Sequence, residues 1–183
     1  MKKIISSLLV LSIMIAFTGC ANKVATYSVG TQNVLSLRTI SDQDGKINLA
    51  KFTDDGREEA SLMCRLATPT GTPDGETFAS YIGKAFQQEL VVANAYDPSS
   101  KITISGNLNR IYGSTTMGNA YWEFDMTISS TNGKQYSVKS RYDYGSSLLA
   151  VSACSEMQRS FVPAVQKLIG EIITNSKFKT LLQ

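Results

Sequence analysis

Three successive stretches between Lys101 and Tyr144 alternate apolar and polar residues, and this pattern restricts the fold more than any other feature of the chain. "KITISGNL" puts Ile102, Ile104, Gly106 and Leu108 on one side, and "YWEFDMTIS" does the same with Trp122, Phe124, Met126 and Ile128. "QYSVKSRYDY" follows with Tyr136, Val138, Ser140 and Tyr142. A period of two with one apolar side describes antiparallel strands that bury one face and wet the other.

The connection "STNGKQ" then sets the pairing. Asn132-Gly133 would by default form a two-residue turn, but that turn places the inward Ile128 opposite the outward Ser137. A one-residue slip exchanges the two faces of a strand and is costly. A three-residue loop of Thr131, Asn132 and Gly133, with glycine in the left-handed position, pairs Ile128 with Tyr136 and Met126 with Val138. On the wet face it sets Glu123 opposite Arg141 and Asp125 opposite Lys139. Opposed charges on a sheet surface contribute a few tenths of a kcal/mol to pairing and imply no catalytic cluster.

Two segments carry the helical period. Phe78, Ile82, Ala85, Phe86, Leu90 and Ala93 form one stripe of a helix expected over about 74–93, with Lys84, Gln87 and Gln88 facing away. Thr72 or Asp74 is its expected cap, and Pro98 blocks continuation. Phe161, Val165, Leu168 and Ile172, widened by Val162, Ile169 and Ile173, mark a C-terminal helix that starts near Pro163 or bends there. Two further strands are expected at Val34–Ile40 and Lys46–Phe52, around the turn "SDQDG". Asp42 and Asp44 in that turn lack the further ligands and the distal Glu of a calcium loop, so a solvated turn is expected. "TDDGREEAS" is expected as a polar surface segment leading to "LMCRL". The fold class is α+β: two layers, an antiparallel sheet of about four to five strands packed by two amphipathic helices.

The N-terminus gives the compartment. Lys2 and Lys3 precede a run from Ile4 to Phe17 of apolar residues and small serines, and Thr18 and Gly19 lead into Cys20. This is the layout of a secretory signal, too short for the roughly 20 apolar residues of a membrane span. A small residue directly before cysteine resembles the lipobox of bacterial lipoproteins, with Phe17 where that motif most often has leucine. The resemblance implies cleavage between Gly19 and Cys20, a diacylglyceride on the Cys20 thiol and an acyl chain on the new amine. Such a set of chains holds a protein stably on a membrane. Ala21 and Asn22 follow in place of the aspartate that retains enterobacterial lipoproteins at the inner membrane, which implies the outer membrane, facing the periplasm. The expected organisation is a signal peptide over 1–19, a lipidated N-terminus and tether over 20–33, and a single periplasmic domain over 34–183.

The charge balance changes with that cleavage. Of 18 basic residues, removal of Lys2 and Lys3 leaves 16 against 15 acidic ones, so the net charge falls from +3 to +1. A nearly neutral chain with no basic block has no electrostatic footprint for nucleic acid. The roughly 164 residues that remain suit one domain with a core of its own.

Cys64 and Cys154 are the other two cysteines, and an oxidising periplasm permits them to pair. A Cys64–Cys154 disulfide is expected, the alternative being two separate buried thiols. With no histidine and no CxxC spacing, no metal site and no cofactor is expected.

The chain from "CRL" through "PDGETFASYIGKAFQQELVVANAYDP", "ITISGNL", "SSTNGK" and "AC" to "FVPAVQKLIGEII" resembles a family of small uncharacterised proteobacterial lipoproteins. In layout it also resembles auxiliary lipoproteins of envelope transport and assembly systems, which place helices on an antiparallel sheet. The first resemblance brings no activity, and the second concerns only the order of elements.

No catalytic residues are expected. The absence of histidine removes Ser-His and Cys-His chemistry, and no GxSxG, phosphate-binding loop or dinucleotide fingerprint occurs. Ser176 and Lys179 fit a Ser-x-x-Lys spacing but sit where a frayed helix end is expected. A pair of carboxylates would be the remaining hydrolytic route. The expected role is non-catalytic binding in envelope assembly or transport, with outer-membrane lipid contacted through acylated Cys20 and an envelope protein or component as partner. The alternative is a glycan or lipid binder, for which Tyr112, Met117 and Tyr121 on the tip "YGSTTMGNAY" are the candidate surface.

Overall fold

The computed structural model describes residues 22–65 and 68–183, so the expected signal segment and the expected lipidation site Cys20 lie outside the described residues. The fold is α+β. Its main sheet contains β2 (Asn48–Leu49), β5 (Thr103–Thr116), β6 (Asn119–Ser130) and β7 (Gln135–Tyr144) in the order β2-β5-β6-β7. A smaller sheet has the order β1-β4-β3, from β1 (Asn22–Lys23), β3 (Ser61–Cys64) and β4 (Thr68–Gly71). Three helices accompany them: α1 (Thr31–Asp44), α2 (Phe78–Val92) and α3 (Ala150–Thr174).

The alternating side chains do what their period requires. Ile104, Leu108, Trp122, Phe124, Met126 and Ile128 are fully buried, and Phe161, Leu168 and Ile172 of α3 are buried with them. The Phe161 ring lies 4.9 Å from Trp122 and 5.4 Å from Phe78, centroid to centroid, which joins α3, β6 and α2 in one aromatic cluster. Two of the large side chains with polar tips inside this core place those tips on hydrogen-bond partners. The Trp122 indole donates to Ser160 Oγ at 3.0 Å and the Tyr136 hydroxyl to the Ile172 carbonyl at 2.7 Å.

The β6–β7 register is the one that both faces select: Ile128 pairs with Tyr136, Met126 with Val138, Glu123 with Arg141 and Asp125 with Lys139. The three-residue loop closes with Ser130 N–H donating to the Lys134 carbonyl, and Gly133 has φ +84°. A Cβ at Gly133 would meet nothing within 4 Å, so a side chain there is opposed by backbone conformation alone. Gly133→Val is therefore expected to cost about 1–3 kcal/mol, and Gly133→Asn clearly less, because asparagine tolerates the left-handed region. Urea denaturation of the two variants checks this, and equal stabilities would contradict it.

The ion pairs on the outer face differ from expectation in one case. Asp125 and Lys139 meet at 3.5 Å. Glu123 instead pairs with Arg110 of β5 at 3.2 Å, and Arg141 turns to Asp143 at 2.8 Å. The cause is a bulge between Leu108 and Arg110. One extra residue reverses the parity of a strand, so Ile111 turns inward and Arg110 and Tyr112 outward, beside the middle strand that carries Glu123. Asn109 in the bulge donates to Asp125 Oδ1 and Thr127 Oγ1, and Arg57 donates to the carbonyls of Leu108 and Asn109.

Several expectations are corrected. Val34–Ile40 is not a strand but part of α1, with Asn33, Val34 and Leu37 buried at helical spacing. The helix packs on α2 and α3, and tertiary context overrides the weak local preference of so short a segment. Gly45, at φ +89°, ends it, so Asp42 and Asp44 belong to the last turn of a helix rather than to a loop. The domain thus has three helices rather than two. The expected strand Lys46–Phe52 is regular only at Asn48–Leu49, and it joins β5 in parallel, which makes the main sheet mixed. Phe52 then fills the space over Gly106, where a Cβ would come within 2.5 Å of its ring.

Thr77, not Thr72 or Asp74, caps α2 by accepting from Ser80 N–H at 3.1 Å, while Pro73–Gly75 form a short 3-10 turn. Helix α3 begins at Ala150 and continues through Pro163. The carbonyl that proline leaves without a donor belongs to Arg159, an exposed residue. The chain end is docked rather than frayed: Phe178 and Leu181 are buried, and Ser130 Oγ donates to the Leu181 carbonyl at 2.7 Å.

Cys64 of β3 and Cys154 of α3 are joined in a disulfide. It ties the small sheet to the first turns of α3, and both cysteines are buried.

Candidate functional site

The segment expected as a tether is the start of the site. Residues 22–33 are packed into the domain: β1 runs beside β4, and Val24, Tyr27 and Asn33 are buried. What holds them is Glu89 of α2. Its carboxylate oxygen Oε1 accepts from the Tyr27 hydroxyl, from Gly30 N–H at 3.0 Å and from Asn33 Nδ2 at 3.2 Å. Asn33 Nδ2 also donates to the Gln166 carbonyl of α3 at 2.8 Å, so one carboxyl gathers the N-terminal segment, α1, α2 and α3. Glu89 has no exposed surface, and its second oxygen has no protein partner. Burial raises its pKa above the ordinary glutamate value, and the three donors pull in the opposite direction. Sequence analysis placed no role on Glu89, because a single carboxylate in a helical stripe is visible only as an exception to the apolar pattern.

The clasped segment forms one wall of an open groove of about 460 Å³. Thr26 and Tyr27 lie on one side, Pro73 and Asp74 close an end, and Tyr81, Ala85, Val91 and Val92 of α2 supply apolar surface. Val91 and Val92 are half exposed, unlike the other large apolar side chains of that helix. The Tyr81 hydroxyl donates to the Ala25 carbonyl at 2.8 Å, which fixes the groove floor. Glu76 and Lys84 form an ion pair of 2.8 Å at the rim, and Glu76 also accepts from Ser80 Oγ. The groove can bury an apolar segment of modest size between two valines and the tyrosines, with Asp74 and the Glu76–Lys84 pair at its edge.

The tyrosines and methionine of the β5–β6 tip occupy another face. Tyr112 and Tyr121 lie together, ring centroids 5.8 Å apart, and Met117 is exposed in the turn. The Arg141 guanidinium sits 3.5 Å over the Tyr121 ring and that of Arg110 sits 5.5 Å from Tyr112. A ring face covered by a cation is already engaged, which leaves Tyr121 less of a platform for a sugar. Arg110 and Arg141 in these positions follow from the bulge and the register.

No family model matches the chain, and no curated protein matches it. Among solved structures it is similar to a Xanthomonas campestris protein of the DUF330 family model, with TM-score 0.48 and 8% identity over 74% of this chain and 87% of that one. It is also similar to a Caulobacter crescentus CB15 protein described as a lipoprotein, with TM-score 0.40 and 14% identity over 83% of this chain and 96% of that one. Among the described residues, no helix is long and apolar enough to cross a membrane, and no group of three or more His, Cys, Asp or Glu side chains gathers to hold a metal.

Proposed function

We propose that the protein is an outer-membrane lipoprotein, anchored through acylated Cys20 and facing the periplasm, whose domain binds an envelope protein without catalysing a reaction and so serves envelope assembly or transport. The groove between the N-terminal segment and α2 carries this reading. Two half-exposed valines beside a tyrosine-lined floor offer an apolar segment of a partner a place to be buried, and the rim carboxylate Glu76 is held by Lys84 and Ser80 rather than left free. The glycan reading is weaker, because Arg141 already covers the Tyr121 ring.

Two measurements test the parts separately. Cys20→Ser is expected to remove the protein from membranes, and a variant that still pellets with outer-membrane vesicles after a high-salt wash would end the anchor reading. A photoreactive amino acid at Val92 should crosslink in intact cells to one reproducible protein, with no such adduct from Lys139 on the outer face of the main sheet. An adduct with lipid or glycan alone would replace the protein-binding role.

A further inference from the structure

The path of the chain into β1 fixes where the anchor must lie. β1 runs parallel to β4, with Asn22 beside Thr70 and Lys23 beside Gly71. Thr70, beside Asn22, is followed towards the start of β4 by Pro69 and Thr68, which pair with Met63 and Cys64 of β3. Only Ala21 separates Asn22 from Cys20. Adjacent Cα atoms are 3.8 Å apart, so Cys20 lies within about 8 Å of Asn22. The anchoring residue of the reading above is therefore within two residues of the folded domain.

The end of β3 is also where the most exposed of the large apolar side chains among the described residues gather. Arg65 follows Cys64 and donates to the carbonyls of Leu148 and Ser147, each at 2.6 Å, and of Thr115 at 2.9 Å. Ser146 Oγ donates to the same Thr115 carbonyl at 2.9 Å, and the disulfide holds Cys154 beside Cys64. The end of β3, the β5–β6 turn and the approach to α3 therefore meet in one place. Around it Val151 is 83% exposed, Leu148 75%, Leu149 70%, Met117 61% and Met63 58%. Single exposed apolar residues need no explanation, but a group of large ones marks a surface that meets protein or membrane.

We propose that this surface is a second contact with the bilayer: Leu148, Leu149, Val151, Met117 and Met63 enter the lipid interface beside the acyl chains of Cys20, and the domain sits on the membrane in one orientation. The inference rests on the lipid-anchor reading above. The occupant is lipid because the anchor itself brings the bilayer to this end, at an effective concentration no dissolved partner reaches. Burial of apolar side chains in the interface then adds to the hold of the acyl chains. β4 leads from Thr68 at this end to Gly71, and Thr72 connects it to Pro73 of the groove, so the groove adjoins the other end of β4.

The test uses the full mature lipoprotein, purified with its acyl groups and placed in vesicles of phosphatidylethanolamine and phosphatidylglycerol. An environment-sensitive fluorophore is attached at Leu149→Cys, or as a control at Lys134→Cys, which lies at the opposite, β6–β7 end of the sheet. Nitroxide-bearing lipid is expected to quench the label at 149 at least threefold more than the label at 134, and aqueous iodide should show the reverse order. Equal iodide access at both positions in acylated, vesicle-bound protein overturns the proposal. So does shielding at 149 without lipid quenching, which would mean a protein on this surface. Mass spectrometry of the N-terminal peptide separates the other failure, since an unacylated Cys20 overturns the anchor reading and this inference together.

Discussion

Replacing both bridge cysteines, Cys64→Ala with Cys154→Ala, is expected to destabilise the domain by about 4–5 kcal/mol, the chain-entropy value for a loop of this length. The bridge spans 90 residues of sequence, and the enclosed loop holds α2 and the whole β5–β6–β7 meander. Alanine is the informative replacement because both sites are buried, and a serine hydroxyl would add a desolvation cost of its own. Denaturant unfolding of the variant against the oxidised protein measures the difference. Hydrogen exchange adds its location: amides in the first turns of α3, which the bridge pins to β3, should lose protection before those near Leu168. A loss of less than about 1 kcal/mol would mean that the bridge does not constrain the unfolded chain.

Glu89→Ala is expected to cost about 3–5 kcal/mol, since it leaves the Tyr27 hydroxyl and the Gly30 amide buried without an acceptor and opens a cavity among three helices. Asn33 keeps the Gln166 carbonyl and is hurt less. The effect should be local first: the amide of Gly30 should exchange early, and a protease should cut within residues 24–33 while the sheet persists. Retained protection of Gly30 in this variant would remove Glu89 from the role of clasp. Glu89→Gln keeps an acceptor at the Oε1 position and should cost much less. It should also remove a pH dependence whose sign is fixed. Burial raises the Glu89 pKa in the folded state. A group raised on folding contributes stability that is complete below its unfolded pKa and is lost as pH rises through the folded one. The stability of the native protein relative to Glu89→Gln should therefore fall as pH rises from the ordinary glutamate range toward neutrality. A difference that is flat with pH, or that grows, would contradict the raised pKa.

The sheet was legible in the sequence because its information is local and redundant. Trp122, Phe124, Met126 and Ile128 against Tyr136 and Val138 define one register from inside, the opposed charges define the same one from outside, and Gly133 supplies the loop that fits both. The stripes of α2 and α3 were legible for the same reason, each being a period repeated over several turns. The bulge at Asn109 was not, because nothing in "GNLNRIY" marks where an extra residue interrupts the alternation. That one residue decided that Glu123 meets Arg110 instead of Arg141.

The segment from Asn22 to Asp44 marks the other limit. Its few apolar residues, Val24, Tyr27, Val34 and Leu37, form no period that identifies their partners, and read alone they suit a tether followed by a short strand. Glu89, more than 50 positions away, supplies the acceptor that turns Tyr27, Gly30 and Asn33 into part of the fold. The sequence by itself determined the sheet register, the helical stripes and the resemblance of residues 1–20 to a lipoprotein signal with Gly19 before Cys20, since each rests on neighbours within a few residues. Only the tertiary structure decided that the chain from Asn22 onward packs into the domain, that a groove forms beside it, and that Met63, Met117, Leu148, Leu149 and Val151 gather at one end. Those depend on contacts between distant segments, and the free energy of such contacts is not written in any local pattern.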